Sequence, residues 1–135
     1  MADNSEFKRH FAELLKKAGD KSDQVVRKVA IELQNSMILK SAVDTGRFRA
    51  NWTCGIGSID SSISNKTDKS GSATLNQTIG VLQGWKPGKT INLTNSLPYA
   101  RRLEYGWSKQ SPQGMVRLTI QEYTKHLEKV VAELQ

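Results

Sequence analysis

The sequence predicts an α+β fold, with amphipathic helices packed on a small, mostly antiparallel sheet. Long stretches at both ends of the chain repeat apolar residues at helical spacing. Two short central stretches alternate apolar and polar side chains, as half-buried strands do. Glycine- and proline-bearing breaks separate these stretches.

Taken in order, residues 4–18 predict a helix, with Phe7, Phe11, Leu14, Leu15 and Ala18 on one face. Asn4 or Ser5 can cap its start, and Gly19-Asp20 ends it. A second helix is expected over 23–40, where Val26, Ala30, Leu33 and Met37 form a stripe. Ile31 and Ile38 lie on another face, so more than one side of this helix is expected to be covered. Asp44-Thr45-Gly46 breaks it, and Arg47 to Ala50 can form one further turn. Trp52, Cys54 and Ile56 then alternate with small or polar residues, a strand pattern.

Residues 60–72 contain one apolar residue, Ile63, and are expected to form a mobile polar loop. Ordering backbone costs about 1–2 kcal/mol per residue, with little apolar surface here to offset it. A helix follows over 73–83 with Leu75, Ile79 and Leu82 on its stripe, and a second strand over 90–94. Pro98 opens a short helical piece, 99–105. The last helix is expected over 113–134, striped by Val116, Ile120, Tyr123, Leu127, Val130 and Leu134. Two strands alone make a poor sheet. Either a third strand lies in 57–66, or neighbouring subunits supply strands.

At 135 residues the chain reads as a single domain. Its one cysteine, Cys54, excludes an internal disulfide and a cysteine-based zinc site. It falls on the apolar face of its strand, as a small hydrophobe would. No apolar run is long enough to span a membrane, and the first residues show no secretory leader. The net charge of +7 is spread evenly: residues 1–50 hold 10 basic and 7 acidic side chains, and residues 51–135 hold 10 and 6. Such diffuse charge gives weak, salt-sensitive attraction to any polyanion rather than a binding stripe.

Catalytic and cofactor patterns are weak. The segment from Gly84 to Thr90 resembles a phosphate-binding loop, but three residues separate its glycines instead of four. It also follows a helix and opens a strand, the reverse of what places helical amides against phosphate. Gly55-x-Gly57 lacks a following helix, and His10 and His126 lie on separate expected helices. The expectation is a protein that is not an enzyme, with no cofactor and no metal. Two polar-aromatic clusters remain, 44–52 and 95–117. Arginine beside aromatic residues suits protein interfaces and nucleic acid alike, so a small basic nucleic-acid-binding module is the alternative reading.

These clusters resemble the tailed-phage morphogenesis family of neck and tail-completion proteins. The matching residues are Asp44 to Trp52, Thr94-Asn95, Leu97 to Ala100, Leu103 to Gly106 and Gln110 to Arg117. They cover 44–59 and 85–134, while 60–83 reads as a variable insertion. The resemblance implies a structural virion protein of a phage or prophage, made in the host cytoplasm and built into the head–tail junction. It implies a homo-oligomeric ring around the DNA channel, commonly of six subunits, meeting connector and tail proteins and lying near DNA without gripping it. No catalytic, cofactor or metal residues come with it. The candidate interface residues are Arg47, Arg49, Arg101, Arg102, Glu104 and Arg117. Glu104 is expected to pair with Arg47 or Arg49, and Tyr99 and Leu103 to face the core.

Overall fold

The structure, a computed structural model, describes residues 4–104 and 114–133. Its elements are α1 (Ser5–Ala18), one 3-10 turn (Gly19–Lys21), α2 (Ser22–Lys40), α3 (Arg47–Ala50) and β1 (Trp52–Ile56). Then come α4 (Ser72–Gln83), β2 (Ile91–Asn95), α5 (Ala100–Glu104) and α6 (Val116–Glu133). The mixture of several helices with one antiparallel sheet is the α+β class that the sequence predicts. Helix ends agree with expectation to within a few residues; Leu134 and the stretch 105–113 lie outside the described residues.

The central element is α2, which packs against α1, α4 and α6. Its fully buried residues are Val29, Ala30, Gln34, Met37 and Ile38, while Val26 and Leu33 are only half-buried. The expected stripe is therefore rotated toward Gln34. The amide of Gln34 explains this: its Nε2 donates to the Thr53 carbonyl and to Thr78 Oγ1, both at 3.1 Å, so a polar strut sits inside the apolar contact. The same strut shifts α4. Thr74, Thr78 and Leu82 are its buried residues, and the expected Leu75 and Ile79 flank them half-buried. On α6 the buried residues are Thr119, Leu127 and Val131, not the full expected stripe, and Val116 is exposed. Thr119 turns inward to share a 3.0 Å hydrogen bond with Ser36 of α2.

Among the described residues the sheet has two strands, paired antiparallel with Cys54 opposite Leu93 and Ile56 opposite Ile91. The third strand considered within 57–66 does not form. Cys54, Ile91 and Leu93 face the helices and join Ala30 and Leu82 in one core cluster. Burial, and secondarily the Asp60 carboxylate, raise the Cys54 thiol above its ordinary pKa, consistent with a packing role. A second cluster of Met37, Ile38, Phe48, Trp52, Leu97 and Met115 ties α2, α3 and the start of α6 together. Among the described residues, no helix is long and apolar enough to cross a membrane.

Candidate assembly surface

The first polar-aromatic cluster begins at Gly46, which precedes α3 with φ of +90°. A side chain there would be strained by the backbone and would strike Asp68 and Lys69, whose backbone atoms lie 2.7–2.9 Å from the position of a Cβ. The close approach lets Asp68 N–H donate to the Gly46 carbonyl at 3.0 Å. The following arginines turn inward through their guanidinium groups. Arg49 donates to the carbonyls of Leu39, Ser41 and Lys69, and so binds the C-terminal end of α2, where carbonyls lack helical partners. Arg47 donates to the Ser64 carbonyl at 3.2 Å. Asn51, buried, donates to the carbonyls of Arg47 and Ser64 and accepts from Ser64 N–H. Trp52 Nε1 donates to Ser41 Oγ at 2.8 Å, so the indole end is satisfied inside the core.

The second cluster folds directly against the first. Asn95 Nδ2 donates to the Phe48 carbonyl at 2.9 Å, and its Oδ1 accepts from Leu97 N–H. The Tyr99 ring lies 5.7 Å from that of Phe48, with Tyr99 38% exposed, so it lies at the rim rather than in the core. Leu103 packs half-buried against the core, as expected.

Glu104 does not pair with Arg47 or Arg49. Its Oε1 accepts from the amides of Met115 and Val116 at 2.8 and 2.7 Å, and its Oε2 from the amide of Arg117 at 3.0 Å. Arg117 Nε adds an ion pair at 3.2 Å, and its Nη2 reaches the Glu104 carbonyl. The carboxylate is a cap for α6: the first amides of a helix lack partners and carry the positive end of its dipole. With only 15% of its side chain exposed, Glu104 is a strut between α5 and α6. Arg101 and Arg102 stand exposed on α5.

The sequence reading missed three functional struts: Gln34, Ser41 and Asp68. Asp68 accepts from Gly71 N–H, Thr74 N–H, Thr74 Oγ1 and Ser70 Oγ, and so caps α4. Burial opposes its ionisation, but the Thr74, Gly71 and Ser70 donors outweigh it and hold its pKa below the ordinary carboxylate value. A signal was present: the polar run Asp68-Lys-Ser-Gly-Ser72 directly ahead of an apolar-periodic stretch is the kind of sequence that caps a helix start.

The struts tie together the elements that carry Leu39, Tyr99 and Val116, three exposed large hydrophobic residues. A half-open hollow of about 290 Å³ is lined by residues 42–48 with Tyr99 and Leu103. Among the described residues no group of three or more His, Cys, Asp or Glu side chains is placed to hold a metal ion.

A family model described as "Bacteriophage HK97-gp10, putative tail-component" matches residues 5–106. The chain belongs to this family. As an HK97-gp10-like protein it is a phage structural protein, a tail component whose place is the virion. The match contains the whole first cluster and the second as far as Gly106; the stretch 110–117 and α6 lie beyond it. Neither the curated proteins nor the solved structures compared with the chain contain a match.

Proposed function

We propose that this HK97-gp10-like protein is a non-catalytic subunit of the head–tail junction that assembles as a ring, commonly of six copies, around the DNA channel. In this reading it completes the neck or tail end and meets connector and tail proteins. The observation that carries the reading is the cross-tied patch itself. Arg47, Arg49, Asn51, Asn95 and Glu104 spend their polar groups on helix ends and carbonyls, which stiffens the elements on which Leu39, Tyr99, Val116, Arg101 and Arg102 are exposed. A rigid patch with apolar and arginine residues is what a protein interface needs. The even +7 charge suits a subunit beside DNA that must let it pass. The host cytoplasm is where assembly would occur.

The test disrupts the phage gene and supplies the chain in trans with a small tag. Electron microscopy of purified particles should place the label at the head–tail junction in a ring, and particles lacking the chain should fail to join heads to tails. Label at the distal tail tip, or a single copy per particle, would overturn the proposal.

A further inference from the structure

The open edge of the sheet and the loop after β1 fit one another when they come from two copies of the chain. Among the described residues β2 has β1 on one side and no strand on the other. Gly57 N–H donates to the Thr90 carbonyl. In an antiparallel ladder the bonding residues alternate, so Thr90, Asn92 and Thr94 point their peptide groups at β1. Ile91, Leu93 and Asn95 then present theirs on the open edge. Beneath that edge lies a half-open groove of about 260 Å³ between α1, α2 and β2. Its walls include Phe7, Phe11, Val26, Leu33, Ile91 and Leu93.

The segment after β1 has the complementary character. Its backbone lies over the opposite face of the sheet, where Ser58 and Asp60 come so close to Gly55 that no Cβ fits there. Thr53 Oγ1 donates to the Asp60 carbonyl, and Ser64 is held by Asn51. Residues 57–64 thus run back along β1 from its end toward its start. Drawn out as a strand, this segment places Ile59, Ser61 and Ile63 on one side, since residues two apart share a face in an extended chain. Ile59 and Ile63 are 60% and 50% exposed.

Charge agrees. Residues 57–65 hold one carboxylate, Asp60, and no cation, whereas Lys89 lines the groove and Lys86 stands exposed beside it. Arg27 lies over the Trp85 ring at the same end.

We propose that residues 59–63 of one copy lie as a third strand along β2 of the next, with Ile59 and Ile63 seated in its groove. The five-residue length equals that of β2. Donor segment and acceptor edge sit on opposite faces of one sheet, so the contact is head-to-tail, the kind that closes into a ring when the rotation permits. This inference rests on the ring reading above and identifies which surfaces make it.

The experiment places Ser61→Cys and Leu93→Cys in one chain that also carries Cys54→Ala, because Cys54 stands opposite Leu93 on β1; the two new cysteines occupy central positions that meet whichever way the added strand runs. Particles carrying this variant are oxidised mildly and run on a non-reducing gel. A ladder of covalent multimers is expected, absent from either single variant. Alongside, Ile59→Asp with Ile63→Asp should leave the melting temperature unchanged, because both side chains are exposed. It should weaken association about a hundredfold, the loss expected when two isoleucines no longer become buried. Rings of normal mass with no ladder would overturn the strand contact and leave the ring reading standing. A single copy per particle would overturn both.

Discussion

Two regions of the molecule are held by different physics. The α1–α6 pair is an apolar stack: Phe7 lies 5.8 Å from Phe11 and 6.4 Å from Tyr123 between ring centres, yet α1 has no fully buried residue. A few polar contacts trim it, such as Lys17 Nζ on the Val131 carbonyl and Tyr123 OH on Glu32. The region from Gly46 to Asp68, with its partners at Asn95 and Glu104, is instead tied by directed hydrogen bonds onto helix ends and backbone carbonyls. Apolar contacts are non-directional and can slide, whereas a capping carboxylate fixes both distance and angle. The second region therefore sets the geometry of the proposed assembly surface, and changes to its atoms should cost more.

The largest effect is expected at Glu104. Removing its carboxylate leaves three helix-start amides and the Arg117 Nε without this acceptor, a loss of about 3 kcal/mol for bonds to a charged group. Glu104→Ala should lower the melting temperature by about 10 °C, with Glu104→Gln recovering part of it. A normal melt with defective particles would return Glu104 to the interface, and the comparison above would lose its strongest tie. Gly46→Ala comes next, at about 2–3 kcal/mol, because φ of +90° and the contact with Asp68 both oppose a methyl group. If Gly46→Ala melts like the parent, the close crossing of these two segments is wrong.

Asp68→Ala should cost about 1–2 kcal/mol, as the loss of a helix cap does. A pH dependence sharpens this. The folded pKa of Asp68 lies below its ordinary value of 3.8, so its stabilisation is present above that value and fades as pH falls through the folded one. Asp68→Asn should flatten the acid limb of a stability–pH curve, and an unchanged limb would contradict the assignment.

The same contrast explains what was legible in the sequence. Periodicity found α1, α2, α4, α6 and both strands to within a few residues, because burial of a stripe leaves a period behind. It misplaced the buried faces of α2, α4 and α6, where Gln34, Thr78 and Thr119 occupy the inward positions. A polar residue counts against burial in any hydrophobic pattern unless its partner is known, and those partners lie far along the chain. The candidate site was legible as residues and not as pairings. Arg47, Arg49 and Glu104 were singled out together, yet opposite charge alone suggested an ion pair, and backbone acceptors and amides, invisible in a sequence, claimed them instead. The mobility expected for residues 60–72 rested on their lack of apolar side chains; the ties at Ser64 and Asp68 are polar. Hydrogen exchange of the free subunit should therefore show protected amides at Ser64, Gly71 and Thr74, with fast exchange at Ser61 and Thr67.

The smallest effect is expected in the apolar stack. Phe7 is half-buried and borders the groove beneath β2. Truncating a fully buried phenylalanine costs about 3–5 kcal/mol through transfer and cavity terms. Neither applies in full here, since the ring is already partly wet and the hollow beside it is open to solvent. Phe7→Ala should cost about 1 kcal/mol. The loss should fall on local opening of α1 rather than on global unfolding, because no residue of α1 belongs to either core cluster. Amide exchange should quicken across α1 and leave α2 and β1 unchanged. If Phe7→Ala instead lowers global stability as much as Asp68→Ala, the helix pair carries as much of the fold as the tied region does, and the contrast between them fails.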